Sequence, residues 1–137
     1  MIKDELFKKA EELLDRCDIV QAASVNEDGF PRICVLIKLK SEGFHTVYFS
    51  TGTHSKKTKH FRQNSKAGLS YYDQNDSVTL VGNAEIIEDD DIKKSLWQDF
   101  MIKHFPGGTE DEEYCVIKFK AKEATIYIDD VLKTYKL

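Results

Sequence analysis

A chain of 137 residues with 20 basic and 24 acidic side chains carries a net charge of −4. That length suits one domain over residues 1–137 with a proper hydrophobic core, and the acidic balance argues against a general nucleic-acid binder, which carries a basic face. No apolar run is long enough to span a membrane, and the charged opening MIKDELFKKAEELL lacks a signal-peptide core, so a cytoplasmic protein is expected.

Leu6, Phe7, Ala10, Leu13 and Leu14 recur at helical spacing and predict an amphipathic helix over residues 3–16. The period then changes. DIVQAASV predicts a strand, and NEDG a tight turn whose residues tolerate positive φ. In FPRICVLIKLK, Ile33, Val35, Ile37 and Leu39 alternate with Arg32, Cys34, Leu36 and Lys38, the period-two signature of a strand with one buried face. FHTVYFS reads as a third strand, residues 55–63 as a short helix, AGLSYYD as a strand, and SVTLVGNAEIIE as a long strand bent at Gly82.

Asp89, Asp90 and Asp91 open a further helix that Ile92, Leu96, Trp97, Phe100, Met101 and Phe105 continue until PGG stops it. YCVIKFKA and EATIYIDD complete the pattern as two final strands. Hairpin-length turns without βαβ alternation predict an antiparallel sheet of about six strands, and closure into a small barrel removes its edges.

The segment FSTGTHSKKTKHF is the strongest candidate for chemistry. Ser55 reads as an N-cap followed at once by Lys56, Lys57 and Lys59, with hydroxyls at Thr51 and Thr53. Cations at a helix N-terminus oppose its dipole, whereas a bound anion there would meet free amides, hydroxyls and ammonium groups together. The competing reading is a solvated basic helix. It is not a phosphate-binding P-loop, because G-x-x-x-x-G-K-[ST] is missing.

The four histidines lack metal-ligand spacing, and His60 reads as a surface residue of the basic helix. Cys17, Cys34 and Cys115 are widely spaced and read as free thiols. Trp97 reads as core packing, with stacking near a flat cofactor as the alternative.

The ordered landmarks SVNEDGFPR, VYFSTGTHSKK, LVGNAE, LW, FPGG and ATIYID resemble the FMN-binding split-barrel proteins related to pyridoxamine 5′-phosphate oxidase. They are most similar to the short, general-stress-protein-like branch, over about residues 5–130. The resemblance implies a mainly β (α+β) fold, a six-stranded antiparallel split β-barrel with flanking helices. It implies a homodimer with FMN at the subunit interface and a small-molecule redox substrate.

By the same resemblance Ser55, Lys56 and Lys57 hold the flavin phosphate, Ser50 and Thr51 contact the cofactor, and Arg32 to Lys38 run along the ring. Cys34, Val35 and Leu36 line the ring through their backbone. Two departures stand out: Cys34 occupies the place of a second phosphate-binding arginine, and Ser77 that of a glutamine at the ring edge. Lys38 is the compensating cation on the Arg32 face. The chain stops at Leu137 without the arginine- and histidine-bearing tail of true oxidases, so that activity is not expected. The alternative is a non-catalytic stress module that has lost its flavin or exchanged it for a deazaflavin or haem.

Overall fold

The computed structural model describes all residues from Met1 to Leu137. Helix α1 (Lys3–Arg16) leads into β1 (Ile19–Val25), β2 (Pro31–Glu42) and β3 (Thr46–Gly52), then α2 (Lys56–Gln63). Strands β4 (Lys66–Asp73) and β5 (Asp76–Ile87), helix α3 (Asp90–Ser95), and strands β6 (Tyr114–Ile128) and β7 (Val131–Lys136) follow. All strand pairings are antiparallel in the order β3-β2-β1-β4-β5-β6-β7, and an added β3–β6 pairing closes β1 to β6 into a barrel. The expected six-stranded barrel with flanking helices is what the chain forms, with β7 as one strand more.

That extra strand arises because β6 does two jobs. Its first half, residues 114–120, pairs with β3, and its second half, residues 123–128, pairs with β7, while β5 follows it along both. The two strands expected from YCVIKFKA and EATIYIDD are therefore one, bent where the β5–β6 register shifts between Val81 and Gly82. Gly82 is required there, because a Cβ would stand 2.1 Å from the Lys120 carbonyl oxygen. The last hairpin turns instead at Asp129 and Asp130, both at positive φ (52° and 64°), as a two-residue turn that matches strand twist demands.

Leu6, Ala10, Leu13 and Leu14 of α1 are fully buried, joining Val20, Leu69, Tyr71, Leu80, Phe119 and Ile126 in the main core. Strand β2 contributes Leu36 and part of Cys34 to that core, since these face inward beside Ala22 and Val20 of β1. The more apolar row, Ile33, Val35 and Ile37, is consequently the outward one, with Ile33 71 % and Val35 67 % exposed.

The predicted long helix over residues 89–105 is broken. α3 ends at Ser95, Gln98 is extended, and a 3₁₀ turn takes Asp99–Lys103. On a straight α-helix, Leu96 and Phe105 would lie about 180° apart. The break lets Leu96, Met101 and Phe105 all seat on Tyr48, Ile87, Tyr114 and Val116, a second cluster outside the barrel wall.

Candidate functional site

The amino end of α2 is built by the corner that follows β3. Ser55 caps the helix, its hydroxyl oxygen accepting the Thr58 N–H at 3.3 Å. Thr51 and Thr58 hydroxyls lie 3.0 and 2.9 Å from the Ser55 oxygen, and the Thr58 hydroxyl donates to the Gly52 carbonyl at 2.7 Å. The turn is tied to the start of β6: the Thr53 N–H donates to the Glu113 carbonyl, the Thr53 hydroxyl donates to the Glu112 carbonyl, and His54 meets the Glu113 carboxylate. The hydroxyls are thus held in a fixed chain, while the first-turn amides have no helical acceptor.

No acidic residue stands in the first turn of α2. Lys56 is exposed and Lys57 half-buried. Lys57 comes close enough to the inward-facing Cys34 to pull its thiol pKa down, as Arg32 also does, although burial of the thiol outweighs both and pushes it above the ordinary value. Arg32 faces the same end of the barrel, opposite Ser24, and its Nη1 is buried without a hydrogen-bond partner. A buried guanidinium nitrogen with no acceptor is costly, and an anion would satisfy it.

His60 belongs to this end of the barrel and not to the surface. Only 4 % of it is exposed, and its Nδ1 lies 2.9 Å from the hydroxyl of buried Ser24. Glu27, from the β1–β2 turn, approaches His60 Nε2 at 3.7 Å and Lys59 Nζ at 3.3 Å. The Glu27 carboxyl is held below its ordinary range, first by its own backbone N–H and then by Lys59. Sequence reasoning missed Ser24, Glu27 and Glu113 entirely. The available signal was Ser24 at the inward phase of β1, in register with Arg32.

The other expected residues are spread more widely. Ser50 and Thr51 lie on β3 against Val116 and Cys115, directly before the corner. Leu36 is buried in the core and Val35 projects outward, so only their backbone shares the Arg32 end of β2. Lys38 is committed elsewhere: its ammonium donates to the Leu14 carbonyl at 2.6 Å, a favourable place for a cation at the C-terminal end of α1. It does not converge with Arg32. Ser77 pairs with Tyr72, at the far end of β5 from Asn83, about 20 Å along the strand. Trp97 packs edge-on against Tyr114 at 5.3 Å, in the outer cluster, and Tyr114 in turn pairs with Gly52 at the corner.

The site therefore gathers Lys56, Lys57 and Arg32 with free amides at one barrel end, while the two carboxylates there, Glu27 and Glu113, pair with Lys59, His60 and His54 instead. Burial pushes the Cys34 thiol above its ordinary pKa, and the Ser24 hydroxyl that meets His60 is itself buried. No cluster of His, Cys, Asp and Glu is suited to a metal ion. No helix is long and apolar enough to cross a membrane.

Residues 6–127 match the family model described as Pyridoxamine 5′-phosphate oxidase. The fold is similar to a Clostridium acetobutylicum protein related to general stress protein 26 of B. subtilis, of the pyridoxinephosphate oxidase family. That match has a TM-score of 0.88 at 28% identity, over 99% of this chain and 97% of the other. General Stress Protein 26 of Bacillus anthracis str. Sterne matches at 0.81 and 22% identity, over 97% and 99%. A heme binding protein from Mycobacterium smegmatis shares the fold at 0.79 and 11% identity, over 99% of this chain and 60% of that one. No curated protein matches the chain.

Proposed function

We propose that this chain, which belongs to the pyridoxamine 5′-phosphate oxidase family, binds FMN by its phosphate at the amino end of α2. The observation that carries the reading is the pairing of an acid-free, lysine-rich helix start with the buried, unpartnered Arg32 Nη1. Two cations opposing a helix dipole each cost roughly 0.3–1 kcal/mol when exposed, and a bound phosphate reverses that sign. The residues present fit the group: Lys56 and Lys57 supply charge, Ser55 and Thr51 supply hydroxyls, and Arg32 has a free donor aimed at the same end.

Bound FMN would supply hydride or electron transfer, which makes the chain a flavin-dependent oxidoreductase of redox or stress response. The chain's own part is positioning. The hydroxyl chain Thr51–Ser55–Thr58 fixes the helix start, and Ser24 and His60 lock α2 against β1. The backbone from Cys34 to Leu36 is the stretch to line the flavin ring.

A second protomer belongs to the same reading. Ile33, Val35 and Ile37 of β2, Ile19 of β1, Tyr72 of β4 and Val81 of β5 project outward from adjacent strands. So wide an apolar surface on one sheet face is characteristic of an interface. A homodimer covering that face would also bring the Arg32 end of β2 close to the partner.

The visible spectrum of freshly purified protein, followed by FMN titration, tests the proposal. Flavin absorbance near one equivalent per chain supports it; no bound flavin together with no quenching of added FMN sinks it. Haemin titrated in parallel decides the rival cofactor, and sedimentation velocity of the same sample decides the dimer.

A further inference from the structure

We propose that the outer face of β6, where the sheet divides, is a second binding site for a small organic polyanion carrying two or more phosphate or carboxylate groups. A cleft of about 670 Å³ opens there, within the size range of small-molecule sites. Its walls follow from topology. The Ala121 N–H donates to the His45 carbonyl at the start of β3, and the Leu137 N–H donates to the Lys122 carbonyl beyond the end of β7. Between those two bonds β6 changes neighbours, so the floor is continuous sheet while the two edges part.

The floor is basic. Lys118, Lys120 and Lys122 line the cleft, with His45 and Asn83 beside them. Cross-strand register extends the charge: Lys40 pairs with Tyr48, which pairs with Lys118, and Lys120 pairs with Asn83, which pairs with Lys66. The Lys40 and Lys118 ammonium groups both lie over the Tyr48 ring, at 5.8 and 5.7 Å. None of these five lysines makes an ion pair, although the chain as a whole is acidic. Glu85, the cross-strand partner of Lys118, is the one acidic side chain lining the cleft, and no ion pair joins the two.

Spacing selects the ligand class. Alternate residues on one strand stand about 7 Å apart and every second strand about 10 Å. Flexible side chains let two ammonium groups close on a single phosphate across one such spacing, but three or more spread along the row and across strands cannot all reach it. A molecule with several anionic groups meets three or more, and gains charge-assisted hydrogen bonds accordingly.

Inorganic tripolyphosphate, with orthophosphate as comparison, tests the site by backbone-amide NMR titration at physiological ionic strength. The expected result is shifts concentrated at residues 118–122 and His45, with tripolyphosphate binding at least about tenfold tighter than orthophosphate. K120Q/K122Q should weaken it about tenfold, and K118Q, which leaves most of the face intact, by a smaller factor in the same direction. K56Q/K57Q should leave it unchanged, which separates this site from the flavin reading. Equal affinity for the two anions, or a loss that tracks Lys56 and Lys57 and spares Lys120 and Lys122, would overturn the proposal.

Discussion

Helices α2 and α3 begin with opposite charge arrangements. At α3 the Asp89 carboxylate accepts the Ile92 N–H at 3.0 Å, and Asp90 and Asp91 follow in the first turn. At α2 a neutral serine makes the corresponding bond at 3.3 Å, and the next two residues are lysines. α1 resembles α3, with Asp4 and Glu5 in its first turn. Elsewhere in the chain, free amides are met by the chain's own carboxylates: Asp111 accepts the Gly107 and Glu113 N–H groups at 2.8 and 2.9 Å. α2 alone among the three helices has no acid in its first turn, and the Glu113 carboxylate that reaches its corner is taken up by His54. That contrast isolates the cost of the α2 arrangement as something a phosphate can repay and a solvated helix cannot.

The largest effect expected is on ligand affinity. Lys56→Glu with Lys57→Glu should weaken FMN by about 100-fold or more and riboflavin far less, measured by flavin fluorescence. Equal losses for the two ligands would mean that the lysines do not meet the phosphate. Arg32→Met comes next. It should weaken FMN by roughly tenfold, as expected for losing a hydrogen bond to a charged group, while the ligand-free protein loses no stability because an unpartnered buried donor is gone.

Asp89→Ala then serves as the mirror test. It should cost about 1 kcal/mol in urea denaturation with FMN affinity unaltered. The ligand-free Lys56→Glu/Lys57→Glu protein should move the other way, gaining roughly 0.3–1 kcal/mol per position. A loss of stability in that variant would erase the asymmetry between the helices. The smallest effect concerns pH. Hydrogen bonds from the Gly107 and Glu113 amides hold the Asp111 carboxyl below its ordinary value. Its contribution is therefore present above the unfolded carboxyl's pKa and is lost as pH falls through the depressed folded one. Asp111→Asn should flatten that part of the acid-denaturation curve.

Much of the architecture was legible because local chemistry and global fold agree. The apolar period of α1 and the Ser55 cap depend on neighbours a few residues away, and the Gly82 bend, although enforced by Lys120 across the sheet, is marked by the glycine itself; each appears where expected. The failures came from distant partners. Which face of β2 is buried is decided by its register with β1, so the more apolar row could end outside. The helix over 89–105 breaks because Leu96 and Phe105 must reach one cluster on β3, β5 and β6. β7 was missed because VLKTYK alternates only weakly and stands on β6 alone. At the site, the Ser55–Lys57 segment was readable from order along the chain, whereas the burial of His60 against Ser24 needed two strands to close first. Lys38 shows the reverse error: on strand phase it belonged with Arg32, but α1 supplied a nearer carbonyl.

The shared strand β6 also sets an order of events in folding. β3 finds one neighbour, β2, as soon as it is made, but its other edge stays open until β6 exists, two strands and two helices later. A contact of such sequence separation forms slowly, because the loop entropy is lost before the pairing rewards it. In a chain emerging from the ribosome, the Val47–Phe49 edge, apolar and β-branched in part, is thus exposed until Ile117–Phe119 of β6 have been made. That transient edge, and not any surface of the finished barrel, is where aggregation during expression should begin.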